Sequence, residues 1–454
     1  MPLFHTYQGW LAYTSNRGGL YDIWLFNPQN GEDRQLTNGL GESFSVPVWS
    51  PDSRKIAFVG QNNILYVVRL SDDSVARIDQ FGEGLGVHLS WSPDSEKITY
   101  TKNGEIVLYN ILNHHVKRLN QPGATDVQWF PGGTGLLFQA PDSTGTSQLF
   151  RIQPNGTNKK QITHNTEGPL HDVLLSPDGA FALYTTPGAS ISLIRTVDIS
   201  TGDVYEVSGG PLAKNYFPVW SPDSSKIAYS ATAYGDRGYY SLIRTSGKKG
   251  ENDRTLTLSD CYATPVTWSP NGRKIGYLSG CYGQGVASEL WLIDVNSPFP
   301  IRVLAGVQIA SLQWSPKPIA VDRKTYTNKI YKVQFQYPAQ WQKVNDERYE
   351  GPNGFFQISA VSGNSIDEVC RNEAFHQLMP YGTNPKIITT VIQNQRACFI
   401  FPSVDQPPEM NGQAALIVQY PKPIQIQGTS YNFFILWADQ WHIKELSSTL
   451  TFLT

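Results

Sequence analysis

The chain has 454 residues, so we expect more than one domain or one large repeat array. Charged residues make up 16% of the chain, against about 25% in typical globular proteins, whereas 39 Gly, 30 Pro and 12% aromatic residues favour strands and turns over helices. A formal net charge of −2 provides no attraction for nucleic acid or an anionic membrane surface, so we expect neither as a partner. A run of about 20 apolar residues is missing, which argues against a transmembrane segment.

One motif recurs along the first two thirds of the chain. It begins as Trp-Ser-Pro-Asp at Trp49, and its successive copies lie 42, 38, 46, 45, 48 and 46 residues apart. The copies are marked by Trp49, Trp91, Trp129, Leu175, Trp220, Trp268 and Trp314. A period near 45 residues is typical of repeat architectures.

Each copy predicts four strands. The first strand ends at the Trp, and Ser-Pro-Asp-(Ser/Gly) forms a turn, because Pro fixes φ at about −65° and Asp bonds its own backbone two residues on. A second strand follows with alternating apolar residues, as at 56–59, and then a third strand and a short fourth strand. Four strands in each repeat of this length are typical of the blade of a β-propeller.

The two ends of the repeat region complement each other. Residues 9–37 contain a second, third and fourth strand, whereas 311–314 form a first strand without partners. Joining these strands in one blade removes open sheet edges and predicts a mainly β, seven-bladed propeller closed by its N- and C-terminal strands. A six-bladed ring is the alternative if the copy at Leu175 is absorbed or the ends do not pair.

The pattern Trp-Ser-Pro-Asp-(Gly/Ser)-x-x-Ile-Ala-(Phe/Tyr), with Ile-Trp or Leu-Trp in the third strand and Gln-Leu-Thr at the end of the blade, resembles the TolB-type (WD40-like, PD40) propeller repeat. The resemblance covers residues 9–316, although Phe130 replaces Ser and Leu175 replaces Trp in two copies. The wider group includes periplasmic protein-binding propellers and the gating propellers of some serine peptidases. The resemblance therefore implies binding without fixing a ligand.

The repeated residues themselves are interpreted as structural. Trp49 and its equivalents recur at one position in every blade, which is what blade-to-blade packing predicts. The repeated Asp is interpreted as a turn former and not as a metal ligand. Binding chemistry is therefore sought where the copies differ.

The residues that precede each Trp begin the innermost strand and are predicted to line the mouth of a central channel. They are His88, Thr125, Asp126, His171, Asp172, Tyr216 and Thr264. His88, Asp126 and His171 are candidate ligands for a divalent cation. Because strand side chains alternate, His171 and Asp172 are not expected to point inward together. The favoured interpretation is a solvated polar rim, with no catalytic residue and no cofactor.

Four cysteines form two candidate disulfides. If Trp268 lies opposite Lys274 across its turn, Cys261 faces Cys281, and the alternative is a pair of buried free thiols. Cys370 on a predicted helix and Cys398 on a strand would enclose 27 residues, a stabilisation of about 3 kcal/mol in the chain-entropy model.

Two disulfides favour an extracytoplasmic protein, periplasmic or secreted. The first residues show no basic segment followed by an apolar one, so we predict no export signal within the chain.

Residues 317–325 are predicted to be a linker between a propeller at 1–318 and a second domain at 325–454. Predicted strands lie at 331–337, 355–359, 387–393, 396–401, 413–420 and 430–437. Ser365 and Glu368 form a capping box for a helix that extends to about Gln377, and Asp439 is a candidate N-cap of a last helix. The expected domain is a small α+β fold with an antiparallel sheet.

The stretch Tyr-x-Val-x-Phe-x-Tyr-Pro-x-x-Trp, from Tyr331 to Trp341, resembles PsbP/Mog1-type α/β/α sandwich domains of secreted bacterial proteins. This resemblance spans residues 329–452. It implies a recognition or accessory module.

Motifs of known chemistry are missing from the sequence, including Gly-x-Ser-x-Gly, the Walker A loop and His-Glu-x-x-His. We therefore predict a monomeric, non-enzymatic binding protein for a protein, peptide or cell-envelope ligand. The alternative is a channel-based, metal-assisted hydrolase or lyase acting on a polysaccharide or ester. That alternative requires His88, Asp126 and His171 to converge on one point, with Tyr216 as an optional fourth member.

Overall fold

A computed structural model describes residues 9–82, 88–166, 168–187, 192–208, 214–236, 238–281, 286–318, 323–351, 354–403, 405–410 and 412–453. The chain divides into two compact units, Met1–Ile319 and Ala320–Thr454. Both consist mainly of strands. Within the described ranges, no helix has the length and apolar character that crossing a membrane requires.

The strands of the first unit are short and follow the repeat. The first fifteen are β1 (Leu11–Ser15), β2 (Asp22–Phe26), β3 (Asp33–Gln35), β4 (Val48–Trp49), β5 (Lys55–Val59), β6 (Ile64–Arg69), β7 (Val75–Gln80), β8 (Ser90–Trp91), β9 (Lys97–Lys102), β10 (Glu105–Asn110), β11 (Val116–Asn120), β12 (Thr125–Trp129), β13 (Leu136–Pro141), β14 (Ser147–Ile152) and β15 (Lys160–Gln161). The others are β16 (His171–Leu175), β17 (Phe181–Pro187), β18 (Ser192–Asp198), β19 (Val204–Glu206), β20 (Lys214–Trp220), β21 (Lys226–Gly235), β22 (Gly238–Gly247), β23 (Arg254–Ser259), β24 (Val266–Trp268), β25 (Lys274–Ser279), β26 (Ala287–Asp294), β27 (Ile301–Ile309) and β28 (Ser311–Trp314). A 3-10 turn at Gln61–Asn63 precedes β6.

These strands pair in sets of four. Antiparallel four-stranded sheets are formed by β4 to β7, β8 to β11, β12 to β15 and β24 to β27. Strands β16 to β19 and β20 to β23 form two more sets, which a single parallel pairing of Ser192 with Lys214 joins into one sheet. The four-strand content predicted for each repeat is therefore observed.

The first and last strands of this unit belong to one sheet, in the order β28, β1, β2 and β3. Leu11 pairs with Trp314 and Thr14 with Ser311 in antiparallel register. The backbone N–H of Trp10 also donates to Ser315 Oγ over 3.0 Å. The pairing predicted between the two ends of the repeat region is present.

The Ser-Pro-Asp turn is held by its own side chains. In the first copy, the N–H of Lys55 donates to Ser50 Oγ over 2.9 Å, and the N–H of Arg54 donates to Asp52 Oδ1 over 3.0 Å. Burial acts to raise the pKa of Asp52, but hydrogen bonds from Ser50, Arg54 and Lys55 outweigh it, so that the pKa is lowered. The repeated Asp is therefore a turn residue, as predicted.

The repeated Trp side chains lie between neighbouring sheets. Trp91 Nε1 donates to the carbonyl of Val48 over 3.0 Å. This bond links strand β8 to strand β4 of the preceding sheet. The equivalent bonds run from Trp49 to the Gln313 carbonyl at 3.2 Å, from Trp220 to the Leu174 carbonyl at 3.0 Å and from Trp268 to the Val219 carbonyl at 3.2 Å. All of these indoles are buried. The packing interpretation is confirmed.

The described part of the second unit contains ten strands and two helices. They are β29 (Arg323–Asn328), β30 (Val333–Pro338), β31 (Gln342–Lys343), β32 (Arg348–Gly351), β33 (Gly354–Val361), α1 (Ile366–Ala374), β34 (Lys386–Ile392), β35 (Gln395–Phe401), β36 (Gln413–Ile426), β37 (Thr429–Asp439), α2 (Ile443–Ser448) and β38 (Thr451–Phe452), with a 3-10 turn at Pro408–Met410. A seven-stranded sheet has the order β31, β32, β33, β37, β36, β35 and β34, and a small sheet has the order β29, β30 and β38.

Both faces of the seven-stranded sheet are covered because successive strand residues point to opposite sides. Cys398 and Ile400 on β35 pack with α1 in one hydrophobic core. Ala397 and Phe399 belong to the other core, which includes residues of α2 and of the small sheet.

Three predictions for this unit need correction. The first half of strand β29 lies inside the predicted linker, where Lys324 pairs with Tyr337. Helix α1 is capped by Ser365 as predicted but ends at Ala374, three residues before the predicted end. Helix α2 begins at Ile443, because the carboxylate of Asp439 accepts from the N–H of His442 in the preceding turn.

Both expected disulfides are present, and they are consistent with an extracytoplasmic protein. Cys370 on α1 is bonded to Cys398 on β35. Cys261 is bonded to Cys281, with Cα atoms 5.0 Å apart. The register used to predict this bond was off by one residue, because Trp268 pairs with Ile275. Both cysteines lie in loops beyond the paired strands, where the ladder does not fix their positions.

Candidate functional site

The first unit contains an open cavity of about 820 Å³. Its lining comes from the ends of several innermost strands and includes Phe44, Val46, His88, Leu89, Leu174 and Gln313. These residues lie in or directly before β4, β8, β16 and β28. Sites for small ligands and side chains usually have volumes of about 300–1,000 Å³, so the cavity is large enough to receive a ligand.

Apolar side chains are exposed at this opening. Phe44 is 58% exposed and Val46 is 46% exposed, and both line the cavity. Single exposed apolar residues are common, but neighbouring ones around a concave opening mark interaction sites. Val46 lies three residues before Trp49, which is the position predicted to line the channel.

A charged pair lies at the same opening. His88 Nε2 is 2.9 Å from Asp126 Oδ1, and the His88 side chain is 54% exposed. Thr125 Oγ1 donates to the other carboxylate oxygen of Asp126 over 2.9 Å. Both oxygens of the carboxylate therefore have hydrogen-bond partners.

The two groups shift each other's titration. The hydrogen bond to Asp126 raises the pKa of His88, against the opposing effect of burial, and the charges of Asp126 and Asp172 add to the increase. Burial acts to raise the pKa of Asp126, but the hydrogen bond and charge of His88 outweigh it and lower that pKa. Both pKa shifts therefore favour the ionised forms of His88 and Asp126.

The innermost strands of three successive four-strand sets, β12, β16 and β20, contain the same kind of irregularity. The register shifts between Thr125 and Gln128 in β12, between His171 and Leu174 in β16, and between Tyr216 and Val219 in β20. Inside these bulges are Asp126 with φ 51°, Asp172 with φ 51° and Phe217 with φ 53°. Residues other than glycine adopt this left-handed backbone conformation at a cost in free energy. A β-bulge of this kind changes the direction in which side chains point.

The bulge in β16 interrupts the regular alternation from which His171 and Asp172 were expected to point to opposite faces. Both side chains are exposed, and Asp172 Oδ2 accepts from Thr185 Oγ1 over 2.8 Å. The charge of Asp172 acts on His88, and that of His171 acts on Asp126. The charges of His171 and Asp172 therefore act on the His88–Asp126 pair.

The remaining predicted rim residues lie elsewhere. Tyr216 Oη is 3.2 Å from Tyr262 Oη, and burial followed by that hydrogen bond raises the pKa of Tyr216 to about 12. Thr264 was predicted to line the channel, but its side chain is fully buried. The reason is that Thr264 Oγ1 accepts from the Leu278 N–H over 3.0 Å and so belongs to the sheet interior.

A metal site at the His88–Asp126 pair does not fit the geometry. Across the described part of the chain, no three His, Cys, Asp or Glu side chains are placed so that they could hold a metal ion. His88 and Asp126 are bonded to each other through the atoms that would coordinate a cation.

Sequence reasoning missed the apolar lining. Phe44, Leu174 and Gln313 line the cavity but were not among the candidates, since the search counted back from the Trp position and selected polar residues. Val46 and Phe217 occupy the counted position and could have been found by including apolar side chains.

Comparison with known proteins supports a β-propeller for the first unit. The model of the PD40 family, described as the TolB beta propeller domain, matches residues 46–256. Oligogalacturonate lyase from Vibrio parahaemolyticus is 15% identical, with 63% of this chain and 86% of that chain covered at a TM-score of 0.51. At this identity the likeness concerns the fold alone.

Two TolB structures are also similar. Putative TolB from Agrobacterium tumefaciens is 21% identical, with 54% of this chain and 90% of that chain covered at a TM-score of 0.40. TolB from Acinetobacter baumannii is 16% identical, with 65% of this chain and 79% of that chain covered at a TM-score of 0.42.

Proposed function

We propose that this protein is a non-enzymatic, extracytoplasmic binding protein that receives a polypeptide segment of a partner at the mouth of its cavity. The observation that carries the proposal is the exposed apolar pair of Phe44 and Val46 at an opening that also carries His88 bonded to Asp126. Apolar anchors in a concave site, with a few placed polar groups, are what polypeptide recognition requires. Among the ligands considered from the sequence, a polypeptide matches this lining best.

The proposal includes a seven-bladed ring around the cavity. Seven sets of four strands support this number, because the single pairing of Ser192 with Lys214 is too small to make β16 to β23 one blade. The pairing of β28 with β1 and the bond from the Trp49 indole to the Gln313 carbonyl support contact between the last and first sheets of the series. In such a ring, the cavity lies on the central axis.

A location in the periplasm or outside the cell is part of the proposal. The disulfides Cys261–Cys281 and Cys370–Cys398 support it, because structural disulfides persist in oxidising compartments.

The alternative function, a metal-assisted hydrolase or lyase, has weaker support. It needs His88, Asp126 and His171 to converge, whereas among the described residues no three such side chains are placed so that they could hold a metal ion. Similarity of fold to a lyase does not transfer its chemistry. We therefore prefer binding to catalysis.

The proposal predicts that a charge at the cavity mouth weakens polypeptide binding. Twelve-residue peptides are selected from a displayed random library against the wild-type protein, and their affinities are measured by fluorescence anisotropy. We expect V46D to weaken the selected peptides by at least about tenfold, because burying an unpaired carboxylate against a ligand is costly. The matched control is V116D, since Val116 on β11 is 41% exposed and does not line the cavity.

Equal loss of affinity in V46D and V116D would contradict the proposal, and so would a failure to select any peptide. Elemental analysis of the same preparations tests the alternative. One equivalent of divalent metal that is lost on replacing His171 by Ala would favour an enzyme.

A further inference from the structure

The strand β34 forms one edge of the seven-stranded sheet of the second unit. Its inner side pairs with β35 over its whole length, from Lys386 with Phe401 to Ile392 with Gln395, without a shift in register. No other described residue pairs with its outer side. An edge strand of this kind presents a row of backbone N–H and C=O groups that can pair with another strand.

The turn between β34 and β35 determines which backbone groups point outward. Gln393 and Asn394 form a two-residue turn with φ 50° and 61°, and positive φ at both positions is typical of the type I′ turn of tight hairpins. The two residues that flank such a turn exchange backbone hydrogen bonds, and along the strands bonded pairs alternate with pairs that are not bonded. The N–H and C=O groups of Ile387, Thr389 and Val391 therefore point away from β35.

This edge lacks the features that protect other strands at the outer edges of sheets. Its sequence Lys-Ile-Ile-Thr-Thr-Val-Ile is β-branched at every position after Lys386, without Pro and with its single charge at the first position. By contrast, the pairing of β7, β23 and β27 contains register shifts, and β11 and β29 each carry two neighbouring charged residues. Register shifts, charges and Pro are the usual protection against pairing between edges. The strand β34 is thus open to pairing along its full length.

We propose that β34 pairs with β34 of a second copy of this chain, antiparallel and centred on Thr389, so that the protein forms a symmetric dimer. In this register Thr389 lies opposite itself, and Ile387 lies opposite Val391. The three residues whose backbone groups point outward then exchange hydrogen bonds with one another, so none of these groups is left unpaired. The pairing also covers the side chain of Val391, which is 63% exposed.

The order of residues along β34 favours a second copy over a strand of another protein. In the symmetric register, Lys386 lies opposite Ile392, so the only charges on the two strands do not meet. Ile388 lies opposite Thr390, so every other pair joins β-branched residues, which pack well across strands. At the other edge of the sheet, β31 has only two residues, which prevents the pairing from continuing beyond a dimer.

This inference is independent of the proposed function, because β34 belongs to the second unit and the cavity to the first. The dimer differs from the monomer expected from the sequence. That expectation had no access to the edge position of β34, since the neighbours of a strand cannot be read from its own residues.

Analytical ultracentrifugation of the full chain over a range of concentrations tests the dimer. We expect the wild type to sediment with the mass of two chains at high concentration and to dissociate on dilution. T389K should weaken dimerisation at least about tenfold, because like charges then lie opposite each other at the centre of the pairing. T389E should have the same effect. An equimolar mixture of T389K and T389E should restore the dimer, since opposite charges then meet.

The matched control is V344K, because Val344 is 52% exposed and follows β31 at the other edge of the sheet, so this variant should dimerise like the wild type. V391P provides a second variant, which removes an outward N–H, keeps the bonds to β35 and should also weaken the dimer. Circular dichroism shows whether each variant is folded. The inference is overturned if the wild type is monomeric at every concentration, as it would be if β34 served a strand of another protein. It is equally overturned if T389K and V391P dimerise like the wild type, or if the mixture of T389K and T389E stays monomeric.

Discussion

His88 and Asp126 make the cavity mouth sensitive to pH. The folded state raises the pKa of His88, chiefly through the hydrogen bond to Asp126, so this His contributes stability that is present below its ordinary value of about 6.5 and is lost as the pH rises through the folded value. Despite burial, the hydrogen bond and charge of His88 lower the pKa of Asp126, so this Asp contributes stability above about pH 4 that is lost as the pH falls. The pair therefore contributes most between about pH 4 and pH 6.5.

We predict that D126N lowers the pKa of His88 and removes this pH-dependent stabilisation. The amide keeps the shape of the side chain but cannot supply the negative charge that favours the imidazolium. The pKa is measured by NMR titration of the His88 ring proton, which is assigned from its loss in H88Q. D172N is the matched control and should lower the His88 pKa less, because Asp172 acts through its charge alone. An unchanged His88 pKa in D126N would show that the two groups do not interact in solution.

This pair could be predicted from the sequence because both residues lie three positions before the Trp of their repeat, in adjacent repeats. The sequence also selected Thr264, which lies four positions before Trp268 and whose hydroxyl is bonded within the sheet to Leu278. Sequence reasoning missed Phe44, which reaches the cavity from a loop that varies between the repeats. The repeat motif determines where each strand lies, whereas the loops between the strands determine which side chains reach the opening.

At the scale of elements, regular pairing was predictable and its interruptions were not. The four-strand sets follow from turn chemistry and period, but the bulges in β12, β16 and β20 depend on residues such as Asp126 and Phe217 that adopt a left-handed backbone. The same limit explains the Cys261–Cys281 bond. Its register was off by one residue, yet the bond forms, because loops held by Asp260 bring the sulfur atoms together.

The indole hydrogen bonds between sheets predict a measurable difference between two Trp residues. W91F removes the hydrogen bond from the indole to the Val48 carbonyl, which contributes about 0.5–1.5 kcal/mol to the free energy of unfolding. W314F removes an indole N–H that is buried without a hydrogen-bond partner in the described structure. Both variants lose the same ring volume, so their difference isolates the hydrogen bond.

Urea unfolding followed by circular dichroism measures both free energies. We expect W91F to be less stable than W314F by about 0.5–1.5 kcal/mol. Equal destabilisation of the two variants would mean that the indole bond between the sheets contributes nothing beyond packing.

At the scale of the molecule, the repeats made the first unit easier to predict than the second. Six copies of one motif each predict the same four strands, and errors in one copy are corrected by the others. The second unit has a single copy of every element, so the strand β29 was taken for a linker and the start of α2 was placed too early. The resemblance of this unit to PsbP/Mog1-type domains stays a prediction.

The most direct test of the account is a crystal structure of the protein bound to a peptide selected from the random library. We predict seven four-stranded blades, β28 paired with β1, and the peptide in contact with Val46 and His88 at the cavity mouth. The account is contradicted if the peptide lies only on the second unit. It is equally contradicted if a metal ion is bound by His88, Asp126 and His171 at the position assigned to the peptide.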